Sequence, residues 1–215
     1  MVKAEFPQTS VIENRRNLGF AGGCRPAIEA SSGRYVLLLN PDSVLAEDAI
    51  GKTVEFADLH PRAAVTGCRV QGEDGGVQRS CFRVPSLWNA LMGAMCLPRL
   101  LPRSSDGEQY EEWDYDTERE VEAVSGCFFL MRREAIEEIG PLDERFFMYC
   151  EDLDWCATAR QKGWQVMYTP TAGIVHAGRR SSEQIPMMFI ERHRSKLMYW
   201  LKQKGRKGLQ LYNLL

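Results

Sequence analysis

Tyr35-Val36-Leu37-Leu38-Leu39 is an unbroken apolar run, stopped at once by Asn40-Pro41-Asp42-Ser43. A run of that length suits a strand buried on both faces, as happens where helices cover both sides of a sheet. The segments around it alternate in type. Pro26 to Ser31 predicts a short helix, with Gly33 able to end it. Glu47 to Leu59 predicts a helix stopped by His60-Pro61. Ala63 to Val70 and Val124 to Arg132 predict strands. Arg133 to Ile139 and Asp152 to Lys162 predict helices ended by Gly140-Pro141 and Gly163. Trp164 to Thr169 and Thr171 to His176 predict two further strands, and Pro186 to Lys204 an amphipathic helix. Thr9 to Asn14 reads as a short strand near the start. Such alternation is the pattern of an α/β sandwich with a mostly parallel central sheet flanked by helices.

The rest of the chain narrows the class. With 215 residues, 44% of them hydrophobic, it can bury a full core, which excludes wholesale disorder. The formal net charge is −2, which argues against a generally basic nucleic-acid binder. No apolar run reaches the length of a membrane span, and MVKAEFPQTS lacks the apolar core of a signal peptide. The seven cysteines are irregularly spaced with no C-x-x-C. That speaks against a disulfide scaffold or a cysteine zinc site, and for a reducing, cytoplasmic setting. Val84 to Glu122 is first Pro-interrupted and then acidic. It reads as an irregular insertion, a candidate lid.

Three places carry chemistry. In open α/β sheets ligands sit beyond the C-terminal ends of the strands, and Asp42 lies just past one. A carboxylate there can ligate a hard divalent cation, or it can merely cap the turn. Glu151, Asp152 and Asp154 open a helix after Phe146-Phe147-Met148-Tyr149. Positions two apart on a helix point about 200° away from each other, so Asp152 and Asp154 cannot both face one pocket. One of them can take a proton from an attacking hydroxyl, or all three can serve the helix terminus. His176 ends a strand and can complete a metal site with a carboxylate. Asn17 to Gly23 matches neither phosphate-binding glycine pattern and signals only close backbone approach.

Taken in order, NRRNLGFAGG (14–23), GRYVLLLNPDS (33–43), the stretch from Val124 to Trp164 and PTAGIVHAGRRSS (170–182) together resemble a family 2 glycosyltransferase. The resemblance is narrower with its rhamnosyltransferase-like branch, and it covers about residues 5 to 205. It implies a GT-A fold, a nucleotide-sugar donor of dTDP-rhamnose or UDP-sugar type, and Mg²⁺ or Mn²⁺. The implied reaction is inverting transfer to a hydroxyl of a polysaccharide or lipid-linked glycan. Asp42 matches the last acid of the metal motif, here Asn40-Pro41-Asp42, and His176 matches the histidine that joins the metal. Asp152 matches the catalytic base, with Glu151 before it. Asn17, Gly19, Phe20, Gly23, Asn40, Arg160 and Arg179 fall on the donor side. Gly126, Cys127 and Trp155 fall on the acceptor side.

The chain departs from the family pattern in two ways. It starts where the family already approaches its third strand, so about one βαβ unit is expected to be lacking. It also has Cys24-Arg25-Pro26-Ala27 where the family has an Asn-Arg-Gly-like stretch. A non-catalytic module that binds carbohydrate or a partner is the alternative reading, and a metal-dependent phosphohydrolase using Asp42, Asp152 and His176 is another. Residues 1–185 are expected to form the catalytic domain, and 186–215 a C-terminal helix and tail. That helix mixes cations with Leu197, Met198, Tyr199, Trp200 and Leu201. It suits either packing on the domain or peripheral contact with the inner face of a membrane. Sheet edges left open by a short N-terminus would favour a homodimer.

Overall fold

The computed structural model describes residues 2–88, 91, 109–177 and 186–214. In chain order the elements are α1 (Val2–Glu5), α2 (Gly19–Ala30), β1 (Tyr35–Leu39), β2 (Ser43–Leu45), α3 (Ala49–Leu59), β3 (Ala63–Gln71), β4 (Val77–Gln78) and β5 (Cys81–Phe82). They continue with β6 (Arg119–Glu120), β7 (Ala123–Val124), β8 (Phe128–Arg132), α4 (Arg133–Ile139), α5 (Glu151–Gln161), β9 (Gln165–His176) and α6 (Pro186–Tyr212).

The apolar run of β1 does what its composition predicts. Val36 and Leu38 enter one core with α2, α4 and α5 through Ile28, Ala135 and Trp155. Tyr35, Leu37 and Leu39 enter a second core with Ala49 and Ala57 of α3. Successive side chains of a strand point to opposite faces, so one five-residue run serves two cores.

The sheet order is β1-β8-β3-β9-β2, with β4 on β3 and β6 on β9. The expected mostly parallel sheet is instead mixed. Among the described residues only β3 and β9 pair in parallel, and β8 lies antiparallel between β1 and β3. The two strands expected after Trp164 form one, β9, which carries an irregularity. Cys68 pairs with Thr169, but the next residue, Arg69, pairs with Gly173. Pro170 sits in that bulge, where its missing N–H leaves no gap in the ladder. Beyond the bulge, β9 pairs antiparallel with β2, setting Ser43 opposite His176.

Three other expectations change. Thr9 to Asn14 forms no strand and lies exposed. The glycine run is helical, because α2 starts at Gly19 and Pro26 falls inside it. The acidic segment, where described, is no lid. Tyr115 is buried, and Trp113 stacks on it at 4.3 Å while meeting Tyr168 edge-on at 4.8 Å. Its aromatic side chains bury well although its charges read as loop. Residues 89, 90 and 92–108 of the expected insertion lie outside the described residues.

α6 packs on α5 as an amphipathic helix. Ser195 donates to the Met148 carbonyl at 2.8 Å. Lys202 Nζ lies 2.6 Å from Asp154 Oδ2, and Gln203 Nε2 donates to Asp154 Oδ1 at 2.7 Å. Asp154 thus serves the α6 interface.

Candidate active site

The end of β1 and the end of β9 meet. The β2–β9 register carries Asp42 to His176, whose Nε2 lies 3.3 Å from Asp42 Oδ1. Asn40 Nδ2 lies 3.3 Å from the same Nε2. The other ring nitrogen, Nδ1, lies 3.1 Å from Gln78 Oε1, while Gln78 Nε2 donates to the His176 carbonyl at 2.9 Å. These contacts set the tautomer. In the neutral ring, Gln78 Oε1 accepts at Nδ1, which places the lone pair on Nε2 facing Asn40 Nδ2. That lone pair and a carboxylate oxygen then face each other at 3.3 Å, an arrangement that calls for positive charge between them. A cation fits this donor set, because metal-ligating histidines give their second N–H to a carbonyl or carboxylate. Both side chains remain partly open to solvent, 28% for Asp42 and 14% for His176. Among the described residues no cluster of three or more His, Cys, Asp or Glu could hold a metal ion. The protein donors here are therefore two.

The second half of the site is the N-terminus of α5. Tyr149 and Cys150, just before it, both have left-handed backbones, at φ 70° and 64°. Non-glycine residues there carry strain of about 1–3 kcal/mol each, which the packing around α5 must hold. Asp152 Oδ2 accepts from the Gly126 amide at 3.0 Å and Oδ1 from the Leu153 amide at 2.8 Å. Glu151 is buried, and its Oε2 has no hydrogen-bond partner among the described residues. Burial raises both carboxyls above their ordinary range, and the charge of Asp152 raises Glu151 further. The Gly126 and Leu153 amides favour the charged form of Asp152, whereas Glu151 has only its own backbone amide to that effect. The pair therefore keeps its proton on Glu151 and its charge on Asp152. A carboxylate with a raised pKa is a stronger base than a solvated one.

Gly126 and Cys127 join the two halves. The Gly126 amide holds Asp152, and the Cys127 carbonyl accepts from the Asn40 amide at 3.1 Å. Asp152 and the Asp42–His176 pair thus hang on two successive residues just before β8. Phe20 packs beside them, since a Cβ on Gly126 would lie 3.3 Å from its ring. Gly19 is held by the Asn17 side chain, whose Oδ1 accepts from its amide at 2.9 Å. The close backbone approach expected of the glycine run is real: a Cβ on Gly19 would sit 1.9 Å from the Phe147 carbonyl oxygen. It is an approach to the chain's own backbone.

The structure brings Asp42, His176 and Asn40 together, and separately Asp152, Glu151 and Gly126. Other expected residues lie apart. Trp155 is a core residue and not an open acceptor contact. Its ring is 2% exposed and meets Phe129 edge-on, and its N–H goes to the Gly140 carbonyl at 2.9 Å. Arg160 stands two turns beyond Asp152, about 12 Å along α5, and pairs with Glu122 at 3.9 Å. A Cβ on Gly23 would meet, outside its own helix and among the described residues, the Asn14 side chain at 3.9 Å. Arg179 lies outside the described residues. Gln78 is the His176 partner that sequence reading missed, because a two-residue strand has no readable period.

Comparison with known proteins fits this geometry. Residues 1–207 match the family described as "Glycosyltransferase like family 2". The chain is 30% identical over 211 residues to the N-acetylglucosaminyl-diphospho-decaprenol L-rhamnosyltransferase of Mycobacterium tuberculosis, covering 93% of this chain and 68% of that one. It is 23% identical over 146 residues to the rhamnosyltransferase WbbL of Escherichia coli K12, covering 66% of this chain and 52% of that one. The solved structure of GalNAc-T7 with UDP, GalNAc and Mn²⁺ superposes with a TM-score of 0.64 at 15% identity. That match covers 94% of this chain and 40% of the GalNAc-T7 chain.

Proposed function

The chain belongs to glycosyltransferase family 2 and has its GT-A fold, and from that premise we propose that it moves a deoxyhexose of the rhamnose type from a nucleoside-diphosphate donor to a hydroxyl of a lipid-linked glycan. The observation that carries the reading is the joining of Asp152 and the Asp42–His176 pair through Gly126 and Cys127. The rhamnosyl and lipid-linked parts rest on the relatives' activities.

In this reading Asp152 takes the proton of the acceptor hydroxyl. The acceptor oxygen forms a bond to the anomeric carbon as the bond from that carbon to the diphosphate breaks. The diphosphate leaves with the electron pair, and attack opposite to it inverts the anomeric centre. Glu151, holding a proton, adds no second charge beside the base. Asp42 and His176 would hold a divalent cation, Mg²⁺ or Mn²⁺, whose chemistry is to offset charge on the departing diphosphate. Asn40 and Gln78 keep the His176 lone pair aimed at that position.

A thermal-shift titration with UDP, dTDP and GDP, each with and without Mn²⁺, tests the reading. A metal-dependent rise with one nucleotide, followed by sugar transfer that fails in Asp152→Asn, supports it. No shift with any nucleotide from a folded sample, or full turnover in Asp152→Asn, would overturn it.

A further inference from the structure

The face of α6 turned away from the domain is not a finished surface. Ser195, Tyr199 and Lys202 occupy the docked side. Ile190, Leu197 and Leu201 are spaced by seven and four residues, so they form one stripe, with Leu197 about 200° round the helix from Ser195. Ile190 is 62% exposed and Leu201 47%, with Met187 at 67% and Phe189 at 68% nearby. Gly205 breaks the helix at φ 69°, and the tail folds back until Tyr212 stacks on Trp200 at 4.9 Å. That return brings Leu209 alongside the stripe. The result is an open groove of about 380 Å³ lined by Ile190, Leu197, Leu201 and Leu209, with His193 and Arg194 on its rim.

The charge around this groove says what covers it. The helix has seven Lys and Arg residues against one Glu, in a chain whose net charge is −2. Arg194, Lys204, Arg206 and Lys207 are exposed. A second copy docking by the same face would set these cations against themselves. An anionic bilayer would neutralise them while taking the apolar side chains below its headgroups. Among the described residues no helix is long and apolar enough to cross a membrane, so the contact is one of lying on the surface. We propose that the outer face of α6 and its folded-back tail dock on an anionic lipid surface, with the Ile190–Leu209 groove entering the acyl region.

This inference needs no donor or acceptor, and its test is independent of transfer activity. The chain is sedimented with phosphatidylcholine vesicles with and without phosphatidylglycerol, at low and high salt. It should pellet with the anionic vesicles at low salt and lose roughly tenfold or more in partition at high salt. Leu197→Asp with Leu201→Asp should lower the partition by about tenfold or more, with melting unchanged. Lys204→Gln, Arg206→Gln and Lys207→Gln together leave the groove intact and should remove most of the salt dependence. No pelleting of the unmodified chain at low salt, or equal pelleting with neutral vesicles, would overturn the proposal. So would a concentration-dependent dimer lost in the Leu197→Asp/Leu201→Asp variant, which would assign the face to a second copy.

Discussion

Gln78 grips His176 at two points, its Oε1 3.1 Å from the ring Nδ1 and its Nε2 donating to the backbone carbonyl at 2.9 Å. One amide thereby fixes both the tautomer and the placement of the residue, leaving Nε2 free to accept. Gln78→Leu keeps the size but removes both bonds. Changes of this kind beside a metal ligand weaken metal affinity by about 10- to 100-fold. We expect Mn²⁺ affinity, read by paramagnetic resonance with nucleoside diphosphate present, to fall by about that factor while melting without metal changes little. The nitrogen shifts of His176 should change from one tautomer to a mixture. An unchanged Mn²⁺ affinity would deny Gln78 this role.

Asp152→Asn tests the base. Asparagine can still accept from Gly126, so the hinge that also holds Asn40 should survive. What disappears is the ability to take a proton, worth about 10²- to 10⁴-fold in rate. Turnover should fall by that much while nucleotide binding stays near its original strength. Equal losses in both would mark Asp152 as structural.

Gly19 makes a contact that no other residue can. Its φ is 73°, and a Cβ there would meet the Phe147 carbonyl at 1.9 Å, where the Phe20 amide already donates at 2.7 Å. Gly19→Ala must move one chain or the other, and Phe20 would leave its place beside Gly126. We expect a loss of about 2–4 kcal/mol in stability by denaturant titration. Gly75→Ala is the control, since its φ is also positive but its Cβ would meet nothing within 4 Å.

Legibility followed periodicity. β1 could be read because five apolar residues end at Asn40-Pro41, and that same break located Asp42. The split between Asp152 and Asp154 could be read because helical geometry alone sends them to opposite sides; one meets Gly126 and the other Lys202. Trp155 could not be read. Three positions after Asp152 it shares the sheet-facing side of α5, and an aromatic residue there fits a core as well as a sugar. Tyr115 and Trp113 were hidden among acids, since isolated aromatics in a charged stretch show no period. Gln78 depends on a contact 98 residues away, which no local pattern encodes.

The carboxyls at the two ends of α5's surroundings give stability opposite slopes with pH. Burial and the charge of Asp152 push Glu151 up to about 8 from an ordinary 4.5. A raised folded pKa means the native state holds a proton that the unfolded chain releases, so stability is full below about 4.5 and is lost as pH rises towards 8. Asp143 works the other way. Hydrogen bonds from Arg145 and Lys202 hold it well below its ordinary 3.8, so its contribution is present above that value and is lost as pH falls. Denaturant midpoints across this range should therefore form a dome, falling on the alkaline side through the Glu151–Asp152 pair and on the acid side through Asp143. Glu151→Gln should flatten the alkaline limb and leave the acid limb in place, while Asp143→Asn should do the reverse. If Glu151→Gln leaves the alkaline slope unchanged, the proton of the pair does not reside on Glu151.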